Sequence, residues 1–163
     1  MKIAILSDSH DNIWKLAEAM PTLASADAVI HCGDLVAPFM ILRLIQGLKG
    51  IPIHIVWGNN DGDKGLIAEV ASQADNIKLH GDFADLELGG LKIGVNHYPK
   101  VARRLAQSGS YDVVCYGHDH TAHEEWLGKT LLLNPGELMG LQGHSTMAIL
   151  DTETRKVQFV DIK

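Results

Sequence analysis

The sequence predicts an α/β fold in which two mixed β-sheets pack face to face with helices outside. Three observations predict it. The first half alternates apolar strand-like runs with amphipathic helical runs. The second half is mostly strand-like and contains a Gly89-Gly90 hairpin signal. No linker, internal repeat or low-complexity stretch divides the 163 residues, so residues 1–163 are read as one domain with one core.

The elements follow in order. Lys2 to Leu6 reads as a strand and Ser7 to Asp11 as a polar loop. Asn12 is placed to cap a helix carrying Trp14, Leu16, Ala17 and Met20 at helical spacing, which Pro21 and Ser25 end or bend. Ala28 to Cys32 is a second strand, and Pro38 to Leu48 a second helix with proline in its first turn. Pro52 to Trp57 is a third strand, and Gly65 to Gln73 a third helix. These connections suit right-handed parallel crossovers. Phe83 to Leu88 and Leu91 to Val95 then flank the Gly-Gly turn. Val101 to Ala106 is a short helix and Val113 to Tyr116 a buried strand. Strand-like runs at 124–127, 130–133, 146–150 and 157–160 complete a strand-rich ending, which favours an antiparallel or mixed sheet.

Composition narrows the function classes. Apolar residues make up 46% and charged residues 21%, as in soluble globular proteins. No apolar run is long enough to span a bilayer, so no membrane partner is expected. Met1-Lys2 leads directly into the first strand, so no signal peptide is expected and the location is read as cytoplasmic. Cys32 and Cys115 fall in apolar strands and read as buried reduced thiols; a disulfide or a thiolate ligand is the alternative. The net charge is −6, and Arg103-Arg104 is the nearest approach to a basic cluster. That disfavours binding of long nucleic acid but allows a small phosphorylated substrate drawn by a local metal charge. Oligomeric state stays open, a homo-oligomer included.

The chemistry-bearing residues form five blocks: Asp8-Ser9-His10, Gly33-Asp34, Gly58-Asn59-Asn60-Asp61, His97, and Gly117-His118-Asp119-His120. Four of them directly follow predicted strands, and strand ends share one edge of an α/β sheet. Asp8 and His10 are two apart, as are His118 and His120; on an extended strand end such pairs point to one side. Gly33 lets the chain turn tightly before Asp34. A carboxylate can bridge two ions, and the Asn59 amide oxygen can ligate one. An oxygen-and-nitrogen donor set suits Mn, Fe, Zn, Ni or Co. Each block alone is weak, since Gly-Asp and Gly-Asn-Asn-Asp are ordinary turn sequences. Five in order outweigh that reading.

In order, these blocks resemble the pattern of the calcineurin-like metallophosphoesterase family, and most resemble its small single-domain bacterial and archaeal phosphodiesterases. The likeness continues into Leu133-Asn134-Pro135-Gly136. The resemblance implies a four-layer αββα fold. It implies that Asp8, His10 and His120 hold one divalent ion, that Asn59, His97 and His118 hold a second, and that Asp34 bridges them. Manganese is the first choice of metal, with Fe, Ni, Zn or Co as alternatives. It implies hydrolysis of a small phosphate ester, most simply a diester, by a metal-bridging hydroxide. With Asp8, Asp34 and that hydroxide, two divalent ions leave a centre of about +1.

Three departures from the family pattern stand out. Asn60 occupies a position where many relatives carry histidine, and asparagine cannot act as a general acid. Asn60 is therefore a candidate for catalysis and substrate binding without an acid role, alongside Asp34 as a catalytic residue. Poor leaving groups should then react slowly. Tyr98-Pro99 follows His97 where glycine is common, and Glu137 follows Asn-Pro-Gly where serine is common. A carboxylate at 137 would repel phosphate if it pointed into the site.

Among the remaining residues, Asn12 either helps present helix N–H groups to a phosphate or only caps its helix. His31 and His54 read as sheet-packing residues, His80, His123 and His144 show no partner spacing, and His144 is the best placed of the three for substrate. Trp14 and Trp126 read as packing residues. Two alternatives to the enzyme are a non-catalytic scaffold on the same fold and a nuclease for short or cyclic nucleotides. Scaffold members of such a family tend to lose ligands, whereas all seven are present here.

Overall fold

Amino-acid residues 1–163 are described by a computed structural model. Strand β1 (Lys2–Leu6), β2 (Ala28–His31), β3 (Ile53–Ile55) and β4 (Ile77–Leu79) run parallel. Helices α1 (Ile13–Leu23), α2 (Pro38–Gly47) and α3 (Lys64–Ala71) form their connections. The hairpin β5 (Phe83–Leu88) and β6 (Leu91–Asn96) opens a second sheet. Helix α4 (Pro99–Gln107) leads to β7 (Val113–Cys115), which lies parallel to β6. Next come β8 (His123–Leu127), β9 (Thr130–Asn134), β10 (Thr146–Asp151) and β11 (Val157–Asp161). The strand orders are β11-β10-β1-β2-β3-β4 and β5-β6-β7-β9-β8.

Alternation along the strands builds three apolar layers. Ile3, Ile5, Ile30 and Val56 of the first sheet meet Ile93, Val95, Val113 and Leu133 of the second in the sandwich interior. The opposite face of the first sheet packs Ala4, Leu6 and Ile53 against Leu16, Leu23, Ile41 and Leu44 of α1 and α2. Helix α4 covers the second sheet through Ala102 and Ala106 on Val114 and Leu132. This is the expected α/β architecture of two mixed sheets flanked by helices. Cys32 and Cys115 are unpaired in the interior, and burial pushes the Cys115 thiol up to about 12.

Two elements differ from the sequence reading. Helix α1 continues through Pro21 to Leu23. Proline removes one N–H, but Ala24 N–H still bonds the Met20 carbonyl and closes the last turn. Strand β4 was not anticipated. Its three residues carry Lys78 at the centre and are too few for a periodic signal. The last two strands join the first sheet, a placement that the sequence reading left open. Strand β10 pairs antiparallel with β1, a contact spanning most of the chain. Helix ends also shift: Asp63 accepts from Leu66 N–H and starts α3 early, and Pro99 opens α4.

Candidate metal centre

All five blocks follow strands β1, β2, β3, β6 and β7, at the C-terminal ends of parallel strands in both sheets. Stacking the sheets brings those ends together. His10 Nε2 lies 3.5 Å from Asp34 Oδ2 and 3.9 Å from Asp8 Oδ1. His120 Nε2 is 3.4 Å from Asp8 Oδ1, and His97 Nε2 is 3.4 Å from Asp34 Oδ2. Asn59 Oδ1 is 3.1 Å from His97 Nε2 and 2.8 Å from His118 Nδ1. The structure thus brings all seven sequence-selected side chains into one volume. Asp8, His10 and His120 form one compact ligating group, and Asp8, Asp34 and His97 form a second.

The route into this volume differs from the extended-strand expectation. Asp8, His10, Asp34, His118 and His120 have φ of 51°, 40°, 59°, 77° and 59°, all left-handed. Holding non-glycine residues there costs on the order of 1–3 kcal/mol each, and such strain gathers at functional sites. The i, i+2 pairs therefore meet through tight loops, not by strand alternation. Asp61 anchors these loops. Its carboxylate accepts N–H groups of Gly58 at 2.7 Å, Val36 at 2.8 Å and Asp34 at 3.2 Å. Val36, at φ 82°, is β-branched and strained, and Asp61 holds it in place. Gly58 packs so closely that a Cβ there would collide with Asp34 backbone and carboxylate.

Electrostatics follow from burial and pairing. Burial alone would raise the Asp34 carboxyl, but His97 and two donors from Asn60 hold it well below the usual carboxylate range. Asp8 behaves similarly: burial is outweighed by the neighbouring His10 and the charge of His97. Asp8 raises His10 in return. Burial depresses His97, yet Asp34 beside it leaves the imidazole above its ordinary value. Ionised carboxylates against protonated histidines are the arrangement in which a cation displaces protons from its ligands.

The donor set fits divalent metal. Asp8 Oδ1 and His10 Nε2 are buried with no hydrogen-bond partner, although each faces the other ligating atoms. Buried polar atoms are rarely left unpaired. His97 Nδ1–H donates to the Cys32 carbonyl at 2.8 Å, which turns Nε2 toward Asp34, where a cation would take the place of its proton. His120 Nδ1 is 2.6 Å from Glu137 Oε2.

Other residues singled out from sequence take definite places. Asn60 donates through both its backbone and side-chain N–H groups to the two Asp34 oxygens, at 2.7 Å each. Asn12 caps α1 by accepting Lys15 N–H, while its amide donates to Met139 O. Glu137 does point inward but is bonded to His120 and Gln142, so it does not present a free charge to the opening. His31 is fully buried and bonds Ser9 Oγ at 2.9 Å. His54 and His80 pair at 2.9 Å, a partnership no sequence spacing indicated. His144 and Trp126 are exposed, as is Trp14. Sequence reading missed the Glu137 contact and the anchoring role of Asp61. Asp61 lay inside a quoted block; nothing in the sequence marks the partner of Glu137.

Beside the ligating cluster, Tyr98, Pro99, Lys100 and His118 line a cavity of about 330 Å³. The Tyr98 ring centroid is 5.3 Å from that of His118. A larger cavity of about 490 Å³ lies between α1 and α2 and holds no ligating side chain. No helix is long and apolar enough to cross a membrane.

Comparison with known proteins agrees with this geometry. Phosphodiesterase MJ0936 of Methanocaldococcus jannaschii is 35% identical over 163 residues, covering 96% of both chains. The probable metallophosphoesterase YsnB of Bacillus subtilis is 32% identical over 146 residues, 85% of this chain and 75% of its own. A solved archaeal phosphodiesterase superposes with a TM-score of 0.91 at 35% identity, covering 99% of each chain. The family model described as the calcineurin-like phosphoesterase superfamily domain matches residues 1–155, and the chain belongs to that superfamily.

Proposed function

We propose that the chain is a single-domain, metal-dependent phosphodiesterase that hydrolyses a small phosphate ester with two divalent cations. Asp8, His10 and His120 hold one cation, Asn59, His97 and His118 the other, and Asp34 is shared. Manganese is the preferred ion, with Fe, Ni, Zn or Co as substitutes for this donor set. The observation that carries the reading is the clustering of Asp8, His10, Asp34, His97 and His120 about the buried, unpartnered Asp8 Oδ1 and His10 Nε2, with Asn59 and His118 joined to the cluster at His97. When bound, the two ions neutralise charge on the phosphate and acidify water to supply the nucleophile.

The chain's own groups do the positioning. Asn60 clamps both Asp34 oxygens and so fixes the shared ligand. It offers no acidic proton, so the leaving oxygen departs unassisted and good leaving groups are favoured. Asn12 contributes to substrate binding through the α1 N-terminus that it caps. The cavity beside Tyr98 gives the leaving group a place next to His118. Two buried unpaired thiols suit a reducing, cytoplasmic setting.

Hydrolysis of an aryl phosphodiester separates this reading from a scaffold on the same fold. Chelator should abolish turnover of bis(p-nitrophenyl) phosphate and Mn²⁺ should restore it. A protein that binds manganese but turns over neither mono- nor diesters would support the scaffold instead. Cleavage confined to short or cyclic nucleotides would favour the nuclease.

A further inference from the structure

The five ligand blocks do not include Glu137, yet it is only 1% exposed and carries no Lys or Arg partner. Its Oε2 lies 2.6 Å from His120 Nδ1, and its Oε1 accepts Gln142 N–H. A carboxylate oxygen accepts from the ring, so Nδ1 is the nitrogen that carries a proton, and in the neutral imidazole the lone pair falls on Nε2. That Nε2 is the atom 3.4 Å from Asp8 Oδ1. The segment bearing Glu137 is also tied to the Asp8 loop, through Leu138 N–H to Ser7 O and Met139 N–H to Asp8 O. One strap therefore sets both Asp8 and His120.

The opposite end of the cluster is built differently. His97 Nδ1–H donates to a neutral carbonyl, that of Cys32, and Asn59 is a neutral ligand. Apart from Asp34, no buried carboxylate is bonded to the His97 ring, the Asn59 amide or the His118 ring; the Asp8 carboxylate accepts only the backbone N–H of His118, at 3.0 Å. Resting on the two-cation reading above, we propose that Glu137 is a positioning residue that fixes the His120 ring and makes the Asp8–His10–His120 end the tighter cation position. The two ions then load in order, that end first. A carboxylate behind an imidazole both orients the ring and raises its basicity as a ligand, and losing such a partner typically lowers metal affinity about 10–100-fold.

Mn²⁺ titrated calorimetrically into chelator-treated protein tests this. Wild type should show two separated binding steps. Glu137→Gln should weaken the tighter step about 10–100-fold and leave the weaker one unchanged. A second measurement needs neither metal nor variant: in ¹⁵N-histidine-labelled, metal-free wild type, His120 should be the Nδ1–H tautomer. Glu137→Ser, a small residue at the same position, serves if the glutamine variant melts early. Equal weakening of both steps, no weakening, or an Nε2–H tautomer for His120 overturns the proposal alone. Failure of wild type to bind manganese overturns the two-cation reading and this proposal with it.

Discussion

Asn60 holds Asp34 at both oxygens, with the backbone N–H on Oδ1 and the side-chain amide on Oδ2, each at 2.7 Å. Asp34 Oδ2 lies 3.5 Å from His10 Nε2 and 3.4 Å from His97 Nε2, so a clamp on it acts on both sides of the cluster. Hydrogen bonds to a charged group contribute about 1.5–3 kcal/mol. Asn60→Ala should therefore lower kcat/KM on an aryl diester roughly 10-fold or more, with the fold intact by circular dichroism. Unchanged kcat/KM would show that the clamp does nothing for turnover.

Asp34→Ala removes the ligand that the two ions of the proposed centre would share. The variant should lose both bound ions, measured by elemental analysis after gel filtration, and lose diester hydrolysis to background. Retention of either ion at wild-type affinity would show that the two positions are independent of Asp34.

Leaving-group dependence should be steep. No imidazole stands at position 60 to protonate the departing oxygen, so aryl diesters should turn over faster than alkyl monoesters. Rates across substituted phenyl esters would measure this. Alkyl monoesters reacting fastest would contradict the role given to Asn60.

Gly58→Ala should damage the site far more than the fold. The added Cβ would strike the Asp34 backbone and carboxylate, and backbone cannot swing away as a flexible side chain can. Metal binding and hydrolysis should fall by more than 10-fold, while the melting temperature of the chelated protein drops by only a few degrees. Full activity in this variant would mean the loop relaxes freely.

Stability of the metal-free protein should depend on the His54–His80 pair. Burial, with His54 and Lys78 nearby, depresses His80 to about 4, and burial also lowers His54. The unfolded chain takes up those protons near its ordinary value of about 6.5, so between about 6.5 and about 4 it binds more protons than the folded chain. The contribution is complete above that window and is lost as pH falls through it. Melting temperatures from pH 7 to 4.5 should fall less steeply for His80→Gln than for wild type. Parallel curves would rule out the pair as a source of acid sensitivity.

Local pattern carried most of the fold. Alternation and helical spacing marked β1–β3 and α1–α3, and Gly89-Gly90 marked the β5–β6 turn, with both glycines at positive φ. Long-range pairing was not legible. Nothing in Thr146–Asp151 states that it crosses back to β1, because strand pairing across the whole chain leaves no local trace. The Lys78-centred β4 was too short to signal itself.

The ligating side chains were legible because each sits in a short block after an apolar run. Their conformation was not. Left-handed φ at Asp8, His10 and His120 is imposed by surrounding contacts, against the preference of those residues. Glu137 was seen only as a departure with a risk of repulsion. Its burial against His120 depends on residues 17 positions apart meeting in space.

Anomalous diffraction from crystals grown with excess Mn²⁺ tests the two-cation centre most directly. The result expected is two peaks about 3.5–4 Å apart with Asp34 between them. Asp8, His10 and His120 should surround one, and Asn59, His97 and His118 the other. A single peak, or none within reach of Asp34, would contradict it.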